Sequence, residues 1–172
     1  MVDLAEEQLD GTLTGKRTTI WGAAFKPETD DIRDSPALAV AHKLHELGAT
    51  VSVTDPKALD NARKARPELD YIEDPIAAVQ NADLLLHLTE WPQYSHIDPA
   101  QLAARTASPL VIDGRGTLDT GRWRKAGWTL RCFGQRGETA GRPGGWAQAA
   151  ATPSKIMILP RVLRARRGTI SW

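Results

Sequence analysis

Cysteine is nearly missing. Cys132 is the only one in 172 residues, which excludes a disulfide framework within the chain and a multi-cysteine zinc site. No run of 18 apolar residues occurs, so no membrane-spanning helix is expected. The opening MVDLAEEQLD is acidic and has no apolar h-region, so no secretory signal is expected and a reducing cytoplasm is the expected setting. Three catalytic or cofactor signatures are also missing: G-x-S-x-G, H-E-x-x-H and the dinucleotide-binding G-x-G-x-x-G. His42, His45, His87 and His96 show no metal-ligand spacing, and they read as surface or core histidines. Cys132 lies in an apolar stretch, LRCF, where a buried inert thiol is the expectation.

What is present suits a globular core. Hydrophobic residues make up 41% and charged residues 25%, and the length fits one domain or one domain plus a tail. The net charge of +1 conceals a division. Seven of the 22 basic residues but only one of the 21 acids, Glu138, lie after residue 134, so an acidic body precedes a basic tail.

The body alternates between strand and helix patterns. Lys16–Ala23 is a β-rich run. Ser35 suits a helix N-cap and Pro36 the first helical position; Ala37, Leu38, Ala41, Leu44 and Leu47 recur at helical spacing, and Gly48 closes the helix. Strands are expected at Thr50–Thr54, Leu69–Ile72, Asp83–Leu88, Pro109–Ile112 and Trp128–Phe133. Helices are expected over about 58–65, from Asp74-Pro75 to Asn81, over Pro99–Arg105 and over Asp119–Ala126. Strands separated by helices imply right-handed crossovers and a parallel sheet. The fold class is α/β, a Rossmann-like doubly wound parallel sheet of about six strands in a three-layer α/β/α arrangement.

In such sheets ligands bind beyond the carboxyl ends of the strands, and the polar clusters fall there. The first strand ends in Gly22-Ala23-Ala24-Phe25-Lys26-Pro27, the second in Asp55-Pro56, the fourth in Thr89-Glu90-Trp91 and the fifth in Asp113-Gly114-Arg115-Gly116. In the 3-2-1-4-5-6 strand order, Lys26, Glu90 and Arg115 converge on one crevice. Only the first glycine of a dinucleotide loop, Gly22, is retained. Asp55 stands where a ribose-binding acid would stand, but without the glycines an Asp-Pro turn is the expected reading. The long loop from Phe25 to Arg33 mixes Lys26 and Arg33 with Glu28, Asp30 and Asp31. Two readings compete there: cations gathered for a diphosphate, or a solvated loop with internal ion pairs. Arg115 sits between two glycines and projects either into the crevice, where its planar fork suits a phosphate, or into solvent. Trp91 either walls a pocket or caps the core.

The run from Gly15-Lys16 through Pro36, GKRTTIWGAAFKPETDDIRDSPA, resembles the UDP-binding, C-terminal domain of the UDP-glucose/GDP-mannose dehydrogenase family. Gly48-Ala49, Asp55-Pro56, Ala82-Asp83, Thr89-Glu90-Trp91, Asp113-Gly114-Arg115 and Gly127…Phe133-Gly134 follow in the family's order, over about residues 11–135. The Thr-Glu-Trp version is more similar to the UDP-glucose 6-dehydrogenases than to the GDP-mannose branch. The resemblance implies that Phe25, Lys26 and Arg115 bind a UDP-sugar and that Arg33 reaches toward NAD held by another domain. It implies a full-length enzyme with an N-terminal NAD-binding domain and a central dimerisation region carrying the catalytic cysteine and lysine. Residues 1–10 would be the end of that central helix.

The family's catalytic cysteine has no counterpart here, since Cys132 is in the wrong context. The chain alone is therefore expected to oxidise nothing. The alternative is a stand-alone nucleotide-sugar-binding or regulatory module without catalysis. Gly116 replaces an asparagine frequent in the family. Residues 136–172 have no family counterpart and read as a Gly/Pro-containing basic tail. Arg161–Arg167 could touch nucleic acid or anionic lipid, but a solvated tail is the expectation, with neither nucleic acid nor membrane as a partner.

Overall fold

The structure, a computed structural model, describes residues 1–133. The basic tail expected at 136–172 lies outside the described residues. The elements run α1 (Val2–Gln8), β1 (Arg17–Trp21), α2 (Pro36–Glu46), β2 (Thr50–Thr54), α3 (Leu59–Ala65), β3 (Asp70–Tyr71), α4 (Pro75–Ala78), β4 (Leu84–His87), α5 (Pro92–His96), α6 (Pro99–Ala103), β5 (Leu110–Asp113), α7 (Thr120–Lys125) and β6 (Thr129–Cys132). All strands pair in parallel, in the order β3-β2-β1-β4-β5-β6. The chain winds outward from β1 to β3, then returns to the other side of β1 at β4. That reversal sends the connecting helices to opposite faces of the sheet and opens a switch point at the carboxyl ends of β1 and β4.

Local chemistry explains most of the elements. Ser35 Oγ accepts the Leu38 N–H at 3.3 Å, and Pro36 opens α2 where its missing N–H costs nothing. Ala37, Leu38, Ala41 and Leu44 form the buried face of that helix, and Gly48 ends it at φ +92°. Asp74, Asp98 and Asp119 cap α4, α6 and α7 in the same manner. β4 is buried along its whole length, as an apolar run covered on both faces must be.

The core under the switch point is aromatic. Trp21 stacks on Tyr94 at 4.8 Å and meets His87 and Trp123 edge-on. Three polar tips in and around it find acceptors: Trp21 Nε1 donates to Pro75 O, Tyr94 Oη to Thr54 O and Trp128 Nε1 to Pro99 O. The strand ends above this core are thus held on a stiff base.

Candidate functional site

Two buried carboxylates organise the carboxyl edge of the sheet. Asp55, 3% exposed at the end of β2, accepts five N–H groups. Its Oδ2 takes Ala23 N at 2.8 Å, Ala24 N at 3.0 Å and Trp91 Nε1 at 3.0 Å; its Oδ1 takes Lys57 N at 2.9 Å and Ala58 N at 2.8 Å. One side chain thereby joins the loops after β1, β2 and β4. Asp113, fully buried at the end of β5, accepts His87 Nδ1 at 3.0 Å and the N–H groups of Arg115, Gly116 and Leu118. Burial alone would raise its carboxyl, but the His87 hydrogen bond and the Leu118 and Arg115 N–H groups outweigh burial and hold it below its ordinary value.

The loop after β1 is built tightly. A Cβ added at Gly22, whose φ is +107°, would come within 2.4 Å of Thr89 Cβ, so only glycine lets β1 and the 88–90 segment approach this closely. Thr89 Oγ1 donates to Ala24 O at 3.0 Å, and Ser35 Oγ donates to Ala23 O at 2.7 Å. Further along, Phe25 N donates to Asp31 O, Lys57 Nζ pairs with Glu28, and Asn61 Nδ2 donates to the carbonyl and carboxylate of Asp30. The Phe25–Arg33 loop is therefore tied down on α3 and on the segment preceding it.

Phe25, Lys26, Arg33 and Arg115 all reach the surface at this edge. Phe25 is 47% exposed, a large apolar ring left in solvent. Lys26 is exposed beside it, close enough to Asp31 to help lower that carboxyl. Arg33 grips Asp31 in a fork, with Nε at 3.0 Å from Oδ1 and the terminal nitrogen at 2.7 Å from Oδ2. This hydrogen bond pulls the Asp31 carboxyl down to about 2. The Arg33 fork lines an open groove with Thr29, Asn61 and Lys64, so Arg33 serves the α3 side of the edge.

Arg115 lies over the 88–90 segment. Its Nε–H donates to Leu88 O at 2.7 Å, and Glu90 Oε2 stands 3.0 Å from the same nitrogen as an ion pair without hydrogen-bond alignment. Among the described residues its terminal nitrogens have no partner. The Lys26 loop and Arg115 thus hang on one short segment: the first through Thr89, the second through Leu88 and Glu90.

Other residues singled out in the sequence have structural settings. Trp91 is 2% exposed and donates to Asp55, so it belongs to the core rather than to a pocket wall. Asp55 is more than a turn acid, since its five protein partners make it a clasp. His42 pairs with Glu46 and Glu68 at the surface. Burial raises the Cys132 thiol, and the nearby Asp113 adds to this, as suits an unreactive cysteine. No cluster of metal-ligating side chains occurs among the described residues, and no helix among them is long and apolar enough to cross a membrane.

The described residues do not fit an NAD pyrophosphate. In a dinucleotide fold the N–H groups after β1 face the phosphates and the acid after β2 takes the ribose. Here Ala23 N and Ala24 N are already spent on that acid, and Gly22 is filled by Thr89.

Residues 19–120, more than half of the chain, match the family described as "UDP-glucose/GDP-mannose dehydrogenase family, UDP binding domain". A UDP-glucose 6-dehydrogenase of Rhizobium meliloti is 37% identical over 125 residues, which cover 73% of this chain and 29% of that protein. A UDP-glucose 6-dehydrogenase, AglM, of Haloferax volcanii is 42% identical over 115 residues, covering 67% and 26%. The structure of a UDP-glucose dehydrogenase from Pyrobaculum islandicum superposes with a TM-score of 0.61 at 36% identity, over 74% of this chain and 29% of that one. The chain thus spans under a third of the length of these relatives.

Proposed function

The chain belongs to the UDP-glucose/GDP-mannose dehydrogenase family as a UDP-binding domain, and from that premise we propose that a UDP-sugar docks where β1, β4 and β5 end. Lys26 and Arg115 meet its diphosphate, Phe25 lies against it, and Arg33 extends toward NAD held by another domain of a full-length enzyme. That enzyme is a UDP-glucose 6-dehydrogenase: it oxidises the C6 alcohol of UDP-glucose to the carboxylate of UDP-glucuronate in two steps, each passing a hydride to NAD. The partners of this domain are then the UDP-sugar and the NAD-binding and dimerisation regions, in the cytoplasm.

This chain's own residues bind and orient the substrate; none carries the chemistry. A covalent route needs a nucleophile with a base beside it, and the half-buried Cys132 thiol is pushed up by burial, away from the thiolate. The chain by itself therefore turns over no sugar.

The observation that carries the reading is the state of Arg115. Its Nε is spent on Leu88 O with the Glu90 carboxylate beside it, which fixes the plane of the guanidinium, while its two terminal nitrogens make no hydrogen bond among the described residues. Such a fork is pre-oriented for two oxygens of a phosphate.

Isothermal calorimetry of the chain with UDP-glucose and with UDP tests it. Arg115→Ala removes a charged hydrogen-bond donor worth roughly 1.5–3 kcal/mol, so affinity should fall roughly 10- to 100-fold. Equal affinity for parent and variant would overturn the assignment. NADH formation by the purified chain, followed by absorbance, would overturn its inactivity.

A further inference from the structure

We propose that His87 is a positioning residue for Arg115: locked in the aromatic core, it orients the Asp113 carboxylate, and that carboxylate shapes the loop that presents the guanidinium. Four observations lead there. His87 and Asp113 are register partners on the adjacent strands β4 and β5, so their side chains meet at the last rung of the ladder. His87 is 1% exposed, with its ring edge-on to Trp21 and to Tyr94, which leaves it no second orientation at low cost. Asp113 Oδ1 takes three donors at once, His87 Nδ1, Arg115 N and Gly116 N. The guanidinium then reaches back across β4 to Leu88 O, one residue after His87.

The remaining nitrogen explains why the residue is informative. His87 Nε2 is buried with no hydrogen-bond partner. An orphaned polar atom in an apolar core is a cost that leucine, the residue at the three preceding positions of β4, would not incur. What histidine supplies in exchange is the Nδ1 donor facing Asp113. A carboxylate at a strand end has two free torsions, and backbone N–H groups of a loop are poor anchors for it because the loop can move with it. The rigid ring supplies the fixed point.

The test uses the full 172-residue chain and two readouts, the first independent of any ligand. The Arg115 Nε–H resonance is identified in a ¹⁵N–¹H correlation spectrum as the signal lost in Arg115→Ala. It should be dispersed in the parent because that proton is bonded to Leu88 O. His87→Phe keeps bulk and removes the donor; His87→Gln keeps only the outer nitrogen position; His87→Asn keeps a donor near Nδ1. The signal should collapse to the solvent-exposed arginine position in the first two and persist in His87→Asn. If His87→Phe does not fold, His87→Gln bears the comparison, with near-ultraviolet circular dichroism as the check on packing. A dispersed signal in the folded donor-less variant overturns the proposal.

The second readout rests on the UDP-sugar reading above. His87→Phe or His87→Gln should weaken UDP binding about tenfold in the parent background, and less than twofold in Arg115→Ala. An equal loss in both backgrounds would mean that His87 does not act through Arg115. If Arg115→Ala itself leaves UDP affinity unchanged, the UDP-sugar reading fails, while the spectroscopic result still decides the role of His87.

Discussion

Replacing Asp55 by asparagine is the sharpest probe of how this edge is built. The change keeps size and shape but exchanges one of two acceptor oxygens for an NH2 group. With its oxygen at the Oδ2 position, the new side chain satisfies Ala23, Ala24 and Trp91, and leaves the Lys57 and Ala58 N–H groups facing another donor. Turned the other way, it leaves three donors unmet. The better choice therefore orphans two N–H groups, that of Ala58 buried and that of Lys57 half-buried, each costing about 1–3 kcal/mol with Lys57 toward the lower end. The expected loss is about 2–6 kcal/mol, out of a total that is about 5–15 kcal/mol for most domains. At this chain length that lowers Tm by roughly 5–20 °C. Urea unfolding followed by circular dichroism measures it. Trp91→Phe is the internal comparison, because it removes one donor and leaves the carboxylate with four; loss of one hydrogen bond to a charged group costs about 1.5–3 kcal/mol. A stability for Asp55→Asn within 1 kcal/mol of the parent would refute the clasp.

Two further outcomes follow from the same edge. Gly22→Ala places a Cβ 2.4 Å from Thr89 Cβ at φ +107°; the left-handed backbone costs about 1–2 kcal/mol and overpacking about 1–3 kcal/mol more, so urea midpoints should drop sharply, and an unchanged midpoint would refute the close approach. Asp113 is held below its ordinary 3.8 in the fold, so the stability its charge contributes is present above 3.8 and drains away as pH falls toward the folded value. The stability gap between parent and Asp113→Asn should therefore be widest near neutrality and narrow on acidification; a gap that does not change with pH would refute the reading.

What the sequence disclosed, and what it hid, divides by range. The parallel six-stranded sheet is legible because β4 and β5 are apolar runs and β1 and β2 are rich in β-branched residues, each set off by turn residues. The β-branched run Thr50–Thr54 coincides with β2, and the Ser35-Pro36 start of α2 is legible because a cap is complete within four residues. Helix lengths were overestimated where tertiary partners cut them short. The helix expected to run to Asn81 stops at Ala78, whose carbonyl accepts Thr19 Oγ1 at 2.7 Å from a strand 59 residues away, and Asn81 itself turns at φ +58°. Helix α5 offers little local signal beyond Pro92 at its first position: it has five residues and no side-chain cap, and it is held by Tyr94 reaching Thr54 O and stacking on Trp21. At the site, Lys26 and Arg115 stood out because each follows an apolar strand. The clasps did not, because an aspartate ending a strand looks like any turn acid until its donors, up to 36 residues distant, are folded onto it.

The two clasps also account for the absence of a glycine fingerprint. Loop N–H groups at the carboxyl edge of a parallel sheet are the donors with which a dinucleotide fold holds phosphate. Here Asp55 takes the N–H groups after β1, and Asp113 takes those after β5. The protein's own anions fill the places a ligand's phosphates would fill, so the backbone has no need to be bare glycine for close approach. An anion arriving at this edge must then be met by side chains. On the proposed reading those are the cations just beyond each clasp: Lys26 two residues after Ala24, and Arg115 two residues after Asp113. Cationic side chains reach farther than backbone N–H groups and leave the crevice wider. That trade suits a diphosphate shared with a second domain better than one sunk into a single domain's first turn.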